Sequence, residues 1–179
     1  EYDYSSNGYY YVTICAKDMK CIFGKVSENV GRGLAPAERE YKDTKIILSS
    51  YGLIAEKQLF ALEQRYDYVK IDKYVIMPNH VHLLISVEKN NKKKQNLVAD
   101  KNIDVNEMMR DIANHCGRLS NIILTYKSSV TRFATKNDIP FRWQSRFHDR
   151  IIRNYDELII KDMYIKNNIS NWKDDEYYL

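Results

Sequence analysis

The chain is poor in cysteine, glycine, proline and histidine, and it has no long apolar run. Its three cysteines, Cys15, Cys21 and Cys116, are an odd number without paired metal-site spacing. Neither a disulfide framework nor a zinc ribbon is indicated, and free thiols suit a reducing cytoplasm. The scarce glycines do not form the Gly-rich turn of a dinucleotide-binding fold. Apolar stretches such as Tyr74 to Met77 and His82 to Val87 fall far short of the roughly 20 residues that a bilayer-spanning helix needs. No membrane segment is expected. No apolar h-region precedes Tyr9, so secretion has no support and a cytoplasmic location is expected.

What is present reads as one folded domain over residues 1–179, because 44% hydrophobic and 29% charged residues sit near globular averages. The net charge of +4 tolerates an anionic partner. Its distribution says more: Arg142 to Arg153 carries four arginines among aromatics, Lys89 to Lys94 is locally basic, and acidic residues gather near both ends. Nucleic acid is permitted but not required, since the Asn- and Lys-rich run also suits a solvated loop tip.

β-branched and aromatic residues predict a strand over Tyr9 to Ala16, with Cys21 to Val26 returning as its hairpin partner. Gly31 and Gly33 mark a loop, Pro36 opens a helical turn toward Asp43, and Thr44 to Leu48 reads as a short strand. Ser49 or Ser50 caps a helix reaching about Gln64, in which Leu53, Ile54, Leu59, Phe60 and Leu62 recur at helical spacing. Tyr68 to Met77 and His80 to Glu88 read as strands meeting at the turn dipeptide Pro78-Asn79. After a polar loop from Asn90 to Lys101, Asp104 caps a second helix with small or apolar residues at Met108, Met109, Ile112, Cys116, Leu119, Ile122 and Ile123, reaching Tyr126 or beyond. A final strand is predicted over Phe141 to Ile152, and Asn154 caps a terminal helix from Tyr155 to about Asn168. Interleaved strands and helices with short connections predict an α+β fold, an antiparallel sheet with helices packed on it.

The sharpest chemical signal is His80-Val81-His82. Residues two apart on a strand share a face, so both imidazoles can converge on one ion while Val81 points into the core. Two imidazoles leave a shell incomplete, and a third protein ligand is needed. On the terminal helix Tyr164 and Asn168 are four apart and share one face. No other tyrosine among the fifteen is followed by Asn or Gln at the fourth position. A phenol with a pKa near 10 is ionised in only about one molecule in a thousand at neutral pH, a deficit of roughly 4 kcal/mol for a nucleophile. A divalent ion beside a phosphate could supply part of that activation, with Asn168 offering a hard oxygen ligand. The bland alternative is a histidine pair on a sheet face and a packed tyrosine.

Several blocks then line up. Tyr2-Asp3-Tyr4-Ser5, Gly8 to Ala16, Met77-Pro78-Asn79-His80-Val81-His82, Trp143-Gln144 with Phe147 and Asp149, Ile151-Ile152-Arg153-Asn154, and Tyr164-Ile165 ending at Trp172 resemble the single-tyrosine HUH transposases, in particular the REP-associated tyrosine transposases. The resemblance implies a ferredoxin-like α+β sandwich with the histidines on a central strand and the nucleophile on a nearby helix. It implies that His80 and His82 ligate a divalent metal, Mg²⁺ or Mn²⁺, that Asn168 completes the site, and that Tyr164 forms a 5′-phosphotyrosine link. The implied partner is single-stranded or hairpin DNA, and relatives include both monomers and homodimers. Where the family usually has proline after Asn168, this chain has Ile169, so a different helix exit is expected. Val30 to Lys42 matches nothing and is assigned no role.

Single-strand recognition commonly combines aromatic platforms with basic side chains. Lys127, Arg132, Arg142, Arg146, Arg150 and Arg153 are therefore candidate DNA contacts, with Tyr126, Phe133 and Trp143 as candidate platforms. The hydroxyls of Lys127-Ser128-Ser129-Val130-Thr131-Arg132 could add phosphate contacts. Either His148 or Asp149 could orient a ligand histidine or serve as a base, but from a strand at most one of them faces the site, and Asp149 is favoured. His115 and Cys116 are assigned to surface and packing. Two other functions compete: a domesticated DNA-hairpin-binding protein that no longer cuts, and a small-molecule metallohydrolase.

Overall fold

The computed structural model of the chain describes residues 8–31, 41–88 and 117–178. Six strands lie within them: β1 (Gly8–Cys15), β2 (Gly24–Gly31), β3 (Tyr41–Leu48), β4 (Val69–Ile76), β5 (His80–Val87) and β6 (His148–Ile152). Three helices accompany them: α1 (Ser50–Arg65), α2 (Gly117–Lys136) and α3 (Tyr155–Asn167). The expected Asp104 cap, the apolar positions before Gly117, His115, the block Tyr2 to Ser5 and the run Lys89 to Lys94 all fall outside the described residues.

Four strands form one antiparallel sheet in the order β4-β5-β1-β6. α1 lies between β1 and β4 in the chain and α2 between β5 and β6, so the connectivity is a split βαβ pair of the ferredoxin-like kind. β1 and β5 occupy the centre. Their side chains alternate between two covered faces, which makes both strands buried almost throughout. Tyr10, Val12 and Ile14 from β1 and Val81, Leu83 and Ile85 from β5 meet Ala55, Leu59, Leu119, Ile122, Tyr126 and Val130 from α1 and α2. The opposite face carries a smaller core of Tyr11, Val75, Met77 and Leu84 under Ile165 and Trp172, covered by α3 and the chain that follows it.

Local chemistry explains the helix ends. Ser49 caps α1 by accepting from the Gly52 N–H, and Asn154 caps α3 by accepting from the Glu157 N–H at 2.8 Å. At Gly52 a Cβ would lie 2.0 Å from the carbonyl oxygen of Phe23, so only glycine lets α1 start against that segment.

Three parts of the sequence reading need correction. Cys21 to Val26 does not return as a hairpin on β1, because β1 already pairs with β5 on one side and β6 on the other; β2 instead pairs with β3 in a separate two-stranded sheet. β2 runs on to Gly31, where a loop was expected, and β3 begins at Tyr41 within the expected helical turn toward Asp43. The last strand starts at His148 rather than Phe141. Phe141 and Trp143 are buried beside Phe23, with Trp143 also against Tyr126, so this segment follows the core and keeps a single bridge, Ala16 to Trp143.

Candidate metal and tyrosine site

The turn at Pro78-Asn79 delivers His80 to the first position of β5, and the strand period puts His82 on the same face. Both rings are buried, and their Nε2 atoms lie 2.9 Å apart. The Asn79 amide nitrogen donates to the Tyr177 carbonyl at 2.8 Å, which turns its oxygen toward His80 Nδ1, also at 2.8 Å. An amide oxygen only accepts, so His80 carries its proton on Nδ1 and presents a lone pair on Nε2. His82 Nδ1 meets the Tyr11 hydroxyl at 2.8 Å and the Thr13 hydroxyl at 2.9 Å. With His80 Nε2 bare, the contact between the two Nε2 atoms is made by His82 Nε2–H donating to it, and a hydroxyl donates to His82 Nδ1. Because hydroxyls also accept, the proton can move to Nδ1 and leave Nε2 able to ligate. Burial pushes His80 down to about 4 against the upward pull of Asp175. His82 is held well below the usual range by burial, then by His80 and Lys161. Both imidazoles are neutral near pH 7, the form that binds metal.

The far end of the chain completes the cluster. Tyr164 packs its ring edge-on to His82, with centroids 5.3 Å apart and planes at 73°. Its hydroxyl donates to Asp175 Oδ2 at 3.2 Å, and the Asn168 amide nitrogen donates to the same oxygen at 2.8 Å. The other oxygen, Asp175 Oδ1, accepts from the Tyr177 N–H at 2.8 Å. One nitrogen from each histidine and one Asp175 oxygen lie within 4.8 Å of one another. Asn168 is 3% exposed, and its Oδ1 has no hydrogen-bond partner. Two imidazole nitrogens, a carboxylate and an orphaned amide oxygen are a donor set that suits a divalent first-row cation. Burial pushes the Tyr164 phenol up to about 12, aided by the Asp175 charge and hydrogen bond.

The structure therefore brings four sequence candidates, His80, His82, Tyr164 and Asn168, into one region of a single chain. Asp175 was missed. It sits seven residues beyond Asn168, past the end of α3 and a 3-10 turn at Trp172–Asp174, so the spacing along that helix does not reach it. The only trace in the sequence is the acidic run Asp174-Asp175-Glu176. Tyr11 and Thr13 also went unassigned, because their contact with His82 depends on the β1–β5 register, in which Thr13 pairs with His82.

The DNA-contact candidates are spread over several elements. Lys127 on α2 is half-buried and donates to the carbonyls of Gln144 at 2.6 Å and Ser145 at 3.2 Å, so it ties down the chain after Trp143. Arg132 on α2, Arg142 and Arg146 beyond it, and Arg153 before α3 are exposed. Arg142, with Lys17 and Lys20, lines an open groove of about 730 Å³ floored by Ile22, Ile139 and Phe141. Arg150 pairs with Glu157 at 2.9 Å. Its partner on β1 is Tyr11, so it stands on the histidine face; Asp149 pairs with Val12 and faces the opposite core, while His148, opposite Thr13, faces the histidine side. The register thus turns Asp149 away from the histidines, against the preference for it, and His148, though on their side, is exposed. Trp143 and Tyr126 are core residues and offer no stacking platform.

No family model matches the chain. A Haemophilus influenzae protein, described only as an uncharacterized protein, is 27% identical over 179 residues, covering 99% of this chain and 89% of its own. Among solved structures, a REP-associated tyrosine transposase bound to a REP hairpin superposes with a TM-score of 0.58 at 12% identity, covering 97% of this chain and 72% of that one. Among the described residues no helix is long and apolar enough to cross a membrane. The chain thus shares the α+β fold of a tyrosine transposase and carries, on the buried face of that fold, a His-His-Asp group able to hold a metal ion.

Proposed function

We propose that the protein is a metal-dependent nuclease and strand transferase acting on single-stranded or hairpin DNA, with Tyr164 as nucleophile and a 5′-phosphotyrosine intermediate. The observation that carries this reading is the Tyr164 side chain, 5.3 Å from His82 and hydrogen-bonded to the carboxylate of the same cluster. The likeness to a hairpin-bound transposase supports DNA as the substrate class.

In the first step the Tyr164 oxygen attacks phosphorus, the P–O3′ bond breaks, and a 5′-phosphotyrosyl bond forms. The phenol loses a proton and the departing 3′-oxygen gains one. Reversal by a 3′-hydroxyl rejoins strands with no net bond energy spent, so no ATP is required. With its pKa near 12, free ionisation of Tyr164 near pH 7 would cost roughly 7 kcal/mol. The proton must therefore move as attack proceeds, and Asp175 Oδ2 already accepts it in a hydrogen bond. Mg²⁺ or Mn²⁺ held by His80 and His82 with an oxygen of Asp175 or Asn168 would withdraw charge from a phosphate oxygen. The Nε2 lone pair of His80, held there by Asn79, and the Nε2 of His82, whose proton can move to Nδ1 to be accepted by Tyr11 or Thr13, are this chain's contribution to that binding.

The test is incubation of the protein with a fluorescent hairpin oligonucleotide and Mn²⁺. The expected product is a denaturation-resistant protein–DNA adduct that is lost in Tyr164→Phe and in chelator. Binding without an adduct, or an adduct that survives Tyr164→Phe, would refute the reading.

A further inference from the structure

Lys161 lies one helical turn before Tyr164 on α3. Its Nζ stands 4.3 Å from the centre of the Tyr11 ring and 5.5 Å from that of Tyr164. Tyr11 holds His82 and Tyr164 lies against it, so the ammonium borders the site without belonging to any role assigned above. The described residues place no carboxylate within ion-pair distance of it. Half-burial disfavours its charge, as does Arg150, while Glu176 and Glu157 favour it from farther away. An ammonium taken partly out of water without a carboxylate is costly to keep unless an anion arrives there.

We propose that Lys161 is a catalytic residue of the strand-cleavage reaction, its ammonium contacting a non-bridging oxygen of the scissile phosphodiester beside Tyr164. This rests on the nuclease reading above. Position is the physical reason. The phosphodiester brings one negative charge to a site that already holds that of Asp175, and passing the phenol proton to Asp175 leaves the total at two. As attack proceeds this charge gathers on the phosphate oxygens beside Tyr164, where the Lys161 ammonium stands one helical turn from the nucleophile. Bonds made and broken are those already given: oxygen of Tyr164 joins phosphorus, the 3′-oxygen leaves and is protonated, and Lys161 remains an ammonium throughout. Without DNA the ammonium rests on aromatic faces, a weak attraction, and a charge-assisted hydrogen bond to phosphate readily displaces it.

Two measurements test this. The first is DNA affinity in chelator, comparing a hairpin oligonucleotide with the same molecule carrying a neutral methylphosphonate at the scissile position. Wild type should prefer the charged linkage by about fivefold, the worth of one well-placed ion pair. Lys161→Met should bind both equally. The second is adduct formation with Mn²⁺, which Lys161→Met should slow by about a hundredfold, as for other groups that stabilise transition-state charge, with partial recovery in Lys161→Arg. Should Lys161→Met fail to fold, Lys161→Gln takes its place in both. A wild type indifferent to the methylphosphonate, or a lysine variant that keeps the preference or forms adduct at the wild-type rate, overturns the proposal. Loss of any Tyr164-dependent adduct in wild type overturns the nuclease reading and this proposal together, whereas a normal adduct in Lys161→Met removes Lys161 alone.

Discussion

Acidification should destabilise the metal-free protein through its buried histidines, well above the pH at which carboxylates titrate. His80 has an ordinary value of 6.5 when unfolded and is pushed down to about 4 in the folded chain. Between those values the unfolded state binds the extra proton, so the contribution is fully present above 6.5 and is lost as the pH falls toward 4. From about pH 7 to about pH 5, His80 alone should remove about 2 kcal/mol of stability, and the whole interval is worth about 3 kcal/mol. His82 is shifted the same way and adds to the loss. The side chain of His80 is fully buried, so solvent screening does not reduce the figure appreciably. Urea unfolding in chelator at a series of pH values measures it, with His80→Asn as the control that flattens the slope. A change below about 0.5 kcal/mol across that range, or an undiminished slope in His80→Asn, would refute the reasoning.

Asp175→Asn should weaken Mn²⁺ binding at least about tenfold in calorimetry by removing an anionic ligand, and unchanged affinity would show that the carboxylate does not ligate. Gly52→Ala should cost about 1–3 kcal/mol, because its Cβ would meet the Phe23 carbonyl oxygen at 2.0 Å. A thermal midpoint within about a degree of wild type would show that α1 shifts freely there.

Much of the site was readable because its parts lie on regular elements. His80 and His82 share a strand face by a period of two, and Tyr164 and Asn168 share a helix face by a period near four. What failed to read was everything that depends on how elements meet. Cys21 to Val26 has strand composition, yet β1 has no free edge to offer it, and pairing is a property of the sheet rather than of the segment. The aromatics of Phe141 to Phe147 mimic strand residues, but a buried segment threading between Phe23 and Tyr126 needs them equally. Asp149 was preferred over His148 without the register against Val12 and Thr13 that decides between them. Asp175 lies beyond the helix whose spacing located Tyr164, with a 3-10 turn between them.

The two halves of the site rest on supports of unequal stiffness. The histidines stand on a central strand whose reverse side is packed under α1 and α2, and their outer nitrogens are fixed by Asn79, Tyr11 and Thr13. Such ligands lose little freedom when an ion arrives, which favours a definite coordination geometry. The tyrosine stands on α3, of which only Ile165 is fully buried, while Ile159, Ile160 and Met163 face outward. Few buried contacts mean a low free energy for local opening, so α3 and the Asp175 turn should separate from the sheet more easily than β5 separates from β1. A nucleophile that becomes covalently tied to a DNA end must tolerate displacement, whereas the atoms that hold the ion must not. The division of the site between sheet and helix meets both demands.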